Sequence, residues 1–95
     1  MNKYEALYII RSATEEEARK QLIEKFAEVV RSNGGEVEGT DEWGMKRLAY
    51  PIDKQTDGYY VLMNFTAPSE VPMELERNFQ ITDDVLRYLV TLRQK

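Results

Sequence analysis

Residues 3–11 alternate with period two, placing Tyr4, Ala6, Tyr8 and Ile10 on one side and Lys3, Glu5, Leu7, Ile9 and Arg11 on the other. That alternation predicts a β-strand. The first set is apolar throughout and should face a core, while Leu7 and Ile9 make the second face partly apolar as well. The period then lengthens. Ala18, Leu22, Phe26, Val29 and Val30, with Ile23 alongside, recur at helical spacing and form one apolar stripe. Thr14 and Glu17 have the spacing of a capping box, and Glu15, Glu16 and Glu17 complement the helix dipole at its start. Asn33-Gly34-Gly35 supplies the stop, so a helix is expected over residues 15–32.

Residues 36–52 read as one long, irregular strand in which Gly39 and Gly44 mark a bulge or bend. A returning strand over residues 59–67 places Val61, Met63 and Phe65 on one face and Tyr60, Leu62 and Asn64 on the other. Between them the polar run Asp53-Lys54-Gln55-Thr56-Asp57 leads into Gly58, which predicts a hairpin whose loop closes on Asp57-Gly58. Pro51 cannot donate a ladder hydrogen bond, which marks the first hairpin strand as an edge near its loop end. Ser69 is the expected N-cap of a shorter helix with Pro72 in its first turn and Val71, Leu75 and Phe79 on its inner face. A last strand over residues 85–92 sets Leu86, Tyr88, Val90 and Leu92 against Arg87, Leu89, Thr91 and Arg93.

The order β-α-β-β-α-β predicts an α+β, ferredoxin-like domain over residues 1–95, with a four-stranded antiparallel sheet and both helices on one face. Right-handed crossovers are expected to put the first and last strands in the centre and the hairpin strands outside. The other sheet face then carries Leu7, Ile9, Tyr60, Leu62 and Leu89 among Lys3, Arg11, Arg87 and Arg93. So much apolar surface on one face points to a macromolecular partner.

Composition narrows the chemistry. The 95 residues include no cysteine and no histidine, which excludes disulfides, thiolate zinc sites, a thiol nucleophile and a histidine base. No apolar run approaches the roughly 18 residues of a membrane span, and the start has no apolar signal region, so a cytoplasmic protein is expected. The net charge is −4 and unevenly spread: residues 1–42 hold six cations and ten acids, residues 43–95 seven of each. Lys46 and Arg47 stand in an acid-free stretch from Gly44 to Ile52, and Arg87, Arg93 and Lys95 in another from Val85 onward. An acidic body can therefore still present a basic strip. Asp83-Asp84 reads as turn, and no catalytic pair is evident.

The run Gly44-Met45-Lys46-Arg47-Leu48-Ala49-Tyr50-Pro51-Ile52, followed by Gly58-Tyr59, resembles the hairpin signature of the sixth-protein family of the bacterial small ribosomal subunit. Tyr4-Glu5, the first helix, the Gly35-X-Val37 step and the length fit the same family. The resemblance implies a ribosome-associated, non-enzymatic protein with no cofactor. It further implies binding to the central domain of 16S rRNA as a heterodimer with the eighteenth protein of that subunit. Lys3, Lys46, Arg47, Arg87, Arg93 and Lys95 are then the candidate RNA contacts, with Arg87, Arg93 and Lys95 favoured as phosphate contacts. Leu7, Ile9, Tyr50, Tyr60, Leu62 and Leu89 are the candidate partner contacts. For Lys46 and Arg47 alone, protection of an edge strand is an equal reading.

Three other readings share the topology. An RNA-recognition motif would stack bases on its third strand, but the expected positions fall on Tyr59 and Val61, which face the helices. An acylphosphatase-like enzyme needs a glycine-bearing phosphate loop, and Arg11-Ser12-Ala13-Thr14 has no glycine. A small-molecule regulatory domain is the alternative that fold alone leaves open.

Overall fold

The computed structural model describes residues 1–52 and 54–94. Its elements are β1 (Asn2–Arg11), α1 (Glu16–Ser32), β2 (Glu36–Ile52), β3 (Gln55–Ala67), α2 (Val71–Ile81) and β4 (Val85–Gln94). The four strands form one antiparallel sheet in the order β2-β3-β1-β4.

This order corrects one expectation. β1 and β3 are central, and β4 is an edge. β3 pairs with β1 along its whole length, from Asn2 opposite Ala67 to Arg11 opposite Gly58. The α2 crossover then carries β4 to the far side of β1. The burial agrees with this order: Val61, Met63, Phe65 and Ala67 of β3 are sealed, whereas Leu89 and Leu92 of β4 are exposed. The Pro51-bearing β2 is the other edge, as its proline requires.

The core lies between the sheet and the helices. Tyr4, Ala6, Tyr8 and Ile10 meet Phe26, Ala27 and Val30 of α1 and Val71, Leu75 and Phe79 of α2. Tyr8 contacts Phe26 at 5.1 Å and Phe79 at 4.9 Å between ring centroids, and Phe79 contacts Tyr88 at 5.3 Å. These offset and edge-on contacts fill the space beneath both helices.

Helix ends differ from the sequence reading at their starts. The N-cap of α1 is Glu15, with no side-chain cap. The capping box does not form, because Thr14 donates its backbone N–H to Arg11 in the preceding turn. Its hydroxyl is buried with no hydrogen-bond partner among the described residues. Likewise the N-cap of α2 is Glu70 rather than Ser69, after a turn in which Val71 N–H bonds to Pro68. The stop of α1 is as expected. Gly34, at φ +88, bonds back to Arg31, and Gly35 bonds back to Val30, the paired bonds that end a helix on a left-handed residue.

The hairpin turns more tightly than its sequence suggested. Ile52 stands opposite Gln55, so Thr56, Asp57 and Gly58 belong to β3, and Lys54 (φ 65) takes the left-handed position in the connection. Gly58 is needed for packing instead. A Cβ there would lie 2.3 Å from Ile9 Cγ2.

Candidate nucleic-acid and partner interface

Both helices cover one face of the sheet and leave the other open. Register decides which side chains share the open face, because directly opposed residues point the same way. Leu7, Leu62 and Leu89 form one row across three strands, and Ile9, Tyr60 and Arg87 form the next. A shallow hollow lined by Leu7, Ile9, Arg87 and Leu89 lies between them. Leu89 is 60% exposed and Leu7, Tyr60 and Leu62 are partly so. Ile9, expected to be exposed with them, is buried, because Leu48 and the bare backbone of Gly58 close around it.

Leu48 shares the open face with Lys46 by plain alternation, two residues further on. Beyond it the β2–β3 ladder is interrupted between Arg47 and Ile52, and Tyr50 reaches across the sheet. Arg87 Nη1 donates a hydrogen bond to the Tyr50 hydroxyl at 2.5 Å, and its guanidinium lies 5.7 Å from the ring centre. β2 and β4 are opposite edges, about 14 Å apart at the spacing of three strand steps, so the hairpin end must lean over the open face. The bond to Tyr50 raises the pKa of Arg87 further above its ordinary value, and the guanidinium is charged at every working pH.

Lys46 and Arg47 do not act together, since neighbouring strand residues point to opposite faces. Lys46 lies opposite Gly58, on the open face, with its ammonium 5.0 Å above the ring of Trp43. Trp43 in turn stacks on Tyr60, with centroids 6.4 Å apart and planes 10° from parallel. Arg47 points the other way and stands opposite Asp57.

The far end of the face holds Lys3, Thr66 and Arg93, together with Glu38 and with Glu36, which stands opposite Thr66. The Thr66 hydroxyl donates to Glu38, and Arg93 Nη1 lies 3.6 Å from the same carboxylate. The Thr66 bond, then the charges of Lys3 and Arg93, hold Glu38 below the usual carboxylate range. Arg93 is thus ion-paired, although its own stretch of sequence is acid-free. Lys95 lies outside the described residues.

Sequence reasoning missed Glu38, Thr66, Trp43 and Leu48. Bulges between Val37 and Gly39 and between Glu42 and Gly44 shift the alternation of β2 twice, so the faces of Glu38 and Trp43 could not be counted forward from Val37. The lone tryptophan beside a glycine was the available signal. Among the described residues no group of carboxylates could hold a metal ion, and no helix is long and apolar enough to cross a membrane.

Comparison with known proteins adds a family. A family model described as "Ribosomal protein S6" matches residues 3–91. A small ribosomal subunit protein bS6 from Thermoanaerobacter pseudethanolicus is 54% identical over 90 residues, 95% of each chain. One from Clostridium novyi is 52% identical over 95 residues, all of both chains. The crystal structure of 30S ribosomal protein S6 from Thermotoga maritima is similar at a TM-score of 0.93 and 27% identity, covering 97% of this chain and 87% of that one.

Proposed function

The chain belongs to the ribosomal protein S6 family of the small ribosomal subunit, and from that premise we propose that it binds the central domain of 16S rRNA as a heterodimer with the eighteenth protein of that subunit. It is a ribosome-associated protein of the cytoplasm, and its family is structural rather than enzymatic.

The observation that carries the proposal is the layout of the open face. Leu7, Leu62 and Leu89 form an apolar band, with Lys46 and Arg87 beyond one end and Lys3 and Arg93 beyond the other. A band of this kind buries against protein, while flanking cations meet phosphates. One face can therefore hold a protein partner and RNA together.

The test is a pull-down from a ribosome-containing lysate, which should recover small-subunit RNA and a small basic protein. Leu62→Asp is the decisive variant. Truncating a central apolar anchor costs about 2 kcal/mol or more, roughly thirtyfold in affinity, and a buried carboxylate costs more. Loss of the heterodimer with an unchanged circular dichroism spectrum is expected; unchanged affinity would remove the band from the interface.

A further inference from the structure

We propose that Lys3, Thr66 and Arg93 form a binding site for one backbone phosphate of RNA, and that Glu38 occupies this site in the unbound chain and leaves it when the phosphate arrives. The inference rests on the reading of the chain as an RNA-binding protein and adds to it the site, its occupant and their exchange.

The donor set is the first argument. A hydroxyl and a guanidinium hold the two oxygens of the Glu38 carboxylate, Thr66 on Oε2 and Arg93 on Oε1, with the Lys3 charge close by. One hydroxyl and two cations around a singly charged, two-oxygen group also describes what a phosphodiester requires. Exchanging one anion for the other leaves the charge of the site unchanged. The arginine fork matches carboxylate and phosphate oxygens alike, so Arg93 can pass from one to the other.

The scaffold is the second. Lys3 is paired to Thr66 on β3 and to Gln94 on β4, so the three donors stand on adjoining paired strands. Glu38 comes from edge strand β2, at the irregularity between Val37 and Gly39. Gly39 has open space where a side chain would be. Lys3 and Thr66 thus stand on the two central strands and anchor the site, while Arg93 and Glu38, each at a register shift of an edge strand, are the parts able to adjust.

Solvent is the third. Arg93 and Glu38 keep 42% and 38% of their side-chain surface exposed, and exposed ion pairs contribute little to stability. Release of Glu38 is easy for a phosphate held in place by other contacts. A phosphate arriving without such contacts must compete with a tethered carboxylate and is refused. Glu38 thereby favours the RNA that fits over RNA in general.

Two measurements test this. Inorganic phosphate titrated into the isolated chain should shift the Thr66 and Arg93 amide resonances in Glu38→Gln, and far less in the wild type. Absence of that shift in Glu38→Gln overturns the site whatever the RNA does. Filter binding of the heterodimer over a salt series is the second. Glu38→Gln should bind central-domain RNA about three- to tenfold more tightly, and unrelated RNA by a larger factor. Its logarithmic salt slope should steepen by about 0.7–0.9, one more phosphate's worth of net ion release. The gain should vanish in Glu38→Gln/Arg93→Gln compared with Arg93→Gln alone. A gain that survives without Arg93, or an unchanged slope, refutes the exchange. If phosphate shifts the resonances yet no variant prefers central-domain RNA, the site stands and the RNA reading falls.

Discussion

The Tyr8 hydroxyl is buried beneath both helices with no hydrogen-bond partner among the described residues. A buried polar group without a partner keeps its desolvation cost. Tyr8→Phe should therefore stabilise the fold by roughly 1 kcal/mol in denaturant titration, and a loss of stability would mean the hydroxyl is satisfied in solution. Alkaline pH gives an independent check. Burial, and secondarily the charge of Glu42, raise the Tyr8 pKa far above its ordinary value of 10.0. Below that value both folded and unfolded chains hold the proton, and the group adds no pH dependence. Above it only the unfolded chain releases the proton, so stability should fall by up to about 1.4 kcal/mol per pH unit. Tyr8→Phe should remove that part of the alkaline loss. Gly58 makes the complementary point. The sequence marks it as glycine-requiring for a turn, and the structure requires glycine for the approach of Ile9. Gly58→Ala should cost about 1–3 kcal/mol as overpacking, measurable in the same titration.

At the scale of elements, α2 is tied to the core by Val71, Leu75 and Phe79, all buried. Leu75→Ala should cost about 2–5 kcal/mol as a cavity, a large part of the roughly 5–15 kcal/mol that holds a domain of this kind together. A loss below about 0.5 kcal/mol would show that the helix packs by other residues. The same three positions explain why the helices were legible: an apolar stripe at fixed spacing reports burial directly. Strand faces were legible where the ladder is regular, as in β1 and β3. No faces could be read in β2, where two bulges reset the alternation. Strand order was misread because local pattern says which face of a strand is buried but not which neighbours it takes. The structure shows the difference in burial: β3 has four sealed positions, whereas β4 leaves Leu89 and Leu92 exposed. Both helix starts were placed one residue early, since Thr14 and Ser69 have the chemistry of caps while turns closed by Arg11 and Pro68 shift the helices past them.

The whole molecule is an acidic protein with net charge −4, and acids stand on both sides: register puts Glu5, Glu36 and Asp41 on the open face among its cations. α1 bears Glu16, Glu17, Glu24 and Glu28 away from the sheet, with Arg31 drawn to Glu24 at 2.7 Å and Lys20 to Glu16 at 3.4 Å. Of the cations on the open face, Arg93 is held by Glu38 and Lys3 lies in the same field. Arg11, in the row of Gly58, donates to the Asp83 carbonyl, so Lys46 and Arg87 remain there, with Arg47 on the reverse of the hairpin. If these three meet phosphates, the logarithmic salt slope is only about −2 to −3, since each phosphate contributes roughly 0.7–0.9. Alone, then, the protein should bind central-domain RNA weakly, and a basic partner should supply most of the electrostatic attraction. Filter binding over a salt series, for the chain, its partner and both together, measures the division. Tight, steeply salt-dependent binding by the isolated chain would refute it. Arg87→Ala should weaken the joint complex more than its single charge implies, because the same side chain secures Tyr50 and the leaning hairpin end across the face. Its salt slope should fall by about one while the residual loss persists at high salt, where screening has removed the charge contribution. Indifference of the joint complex to Arg87→Ala would remove that residue from the interface.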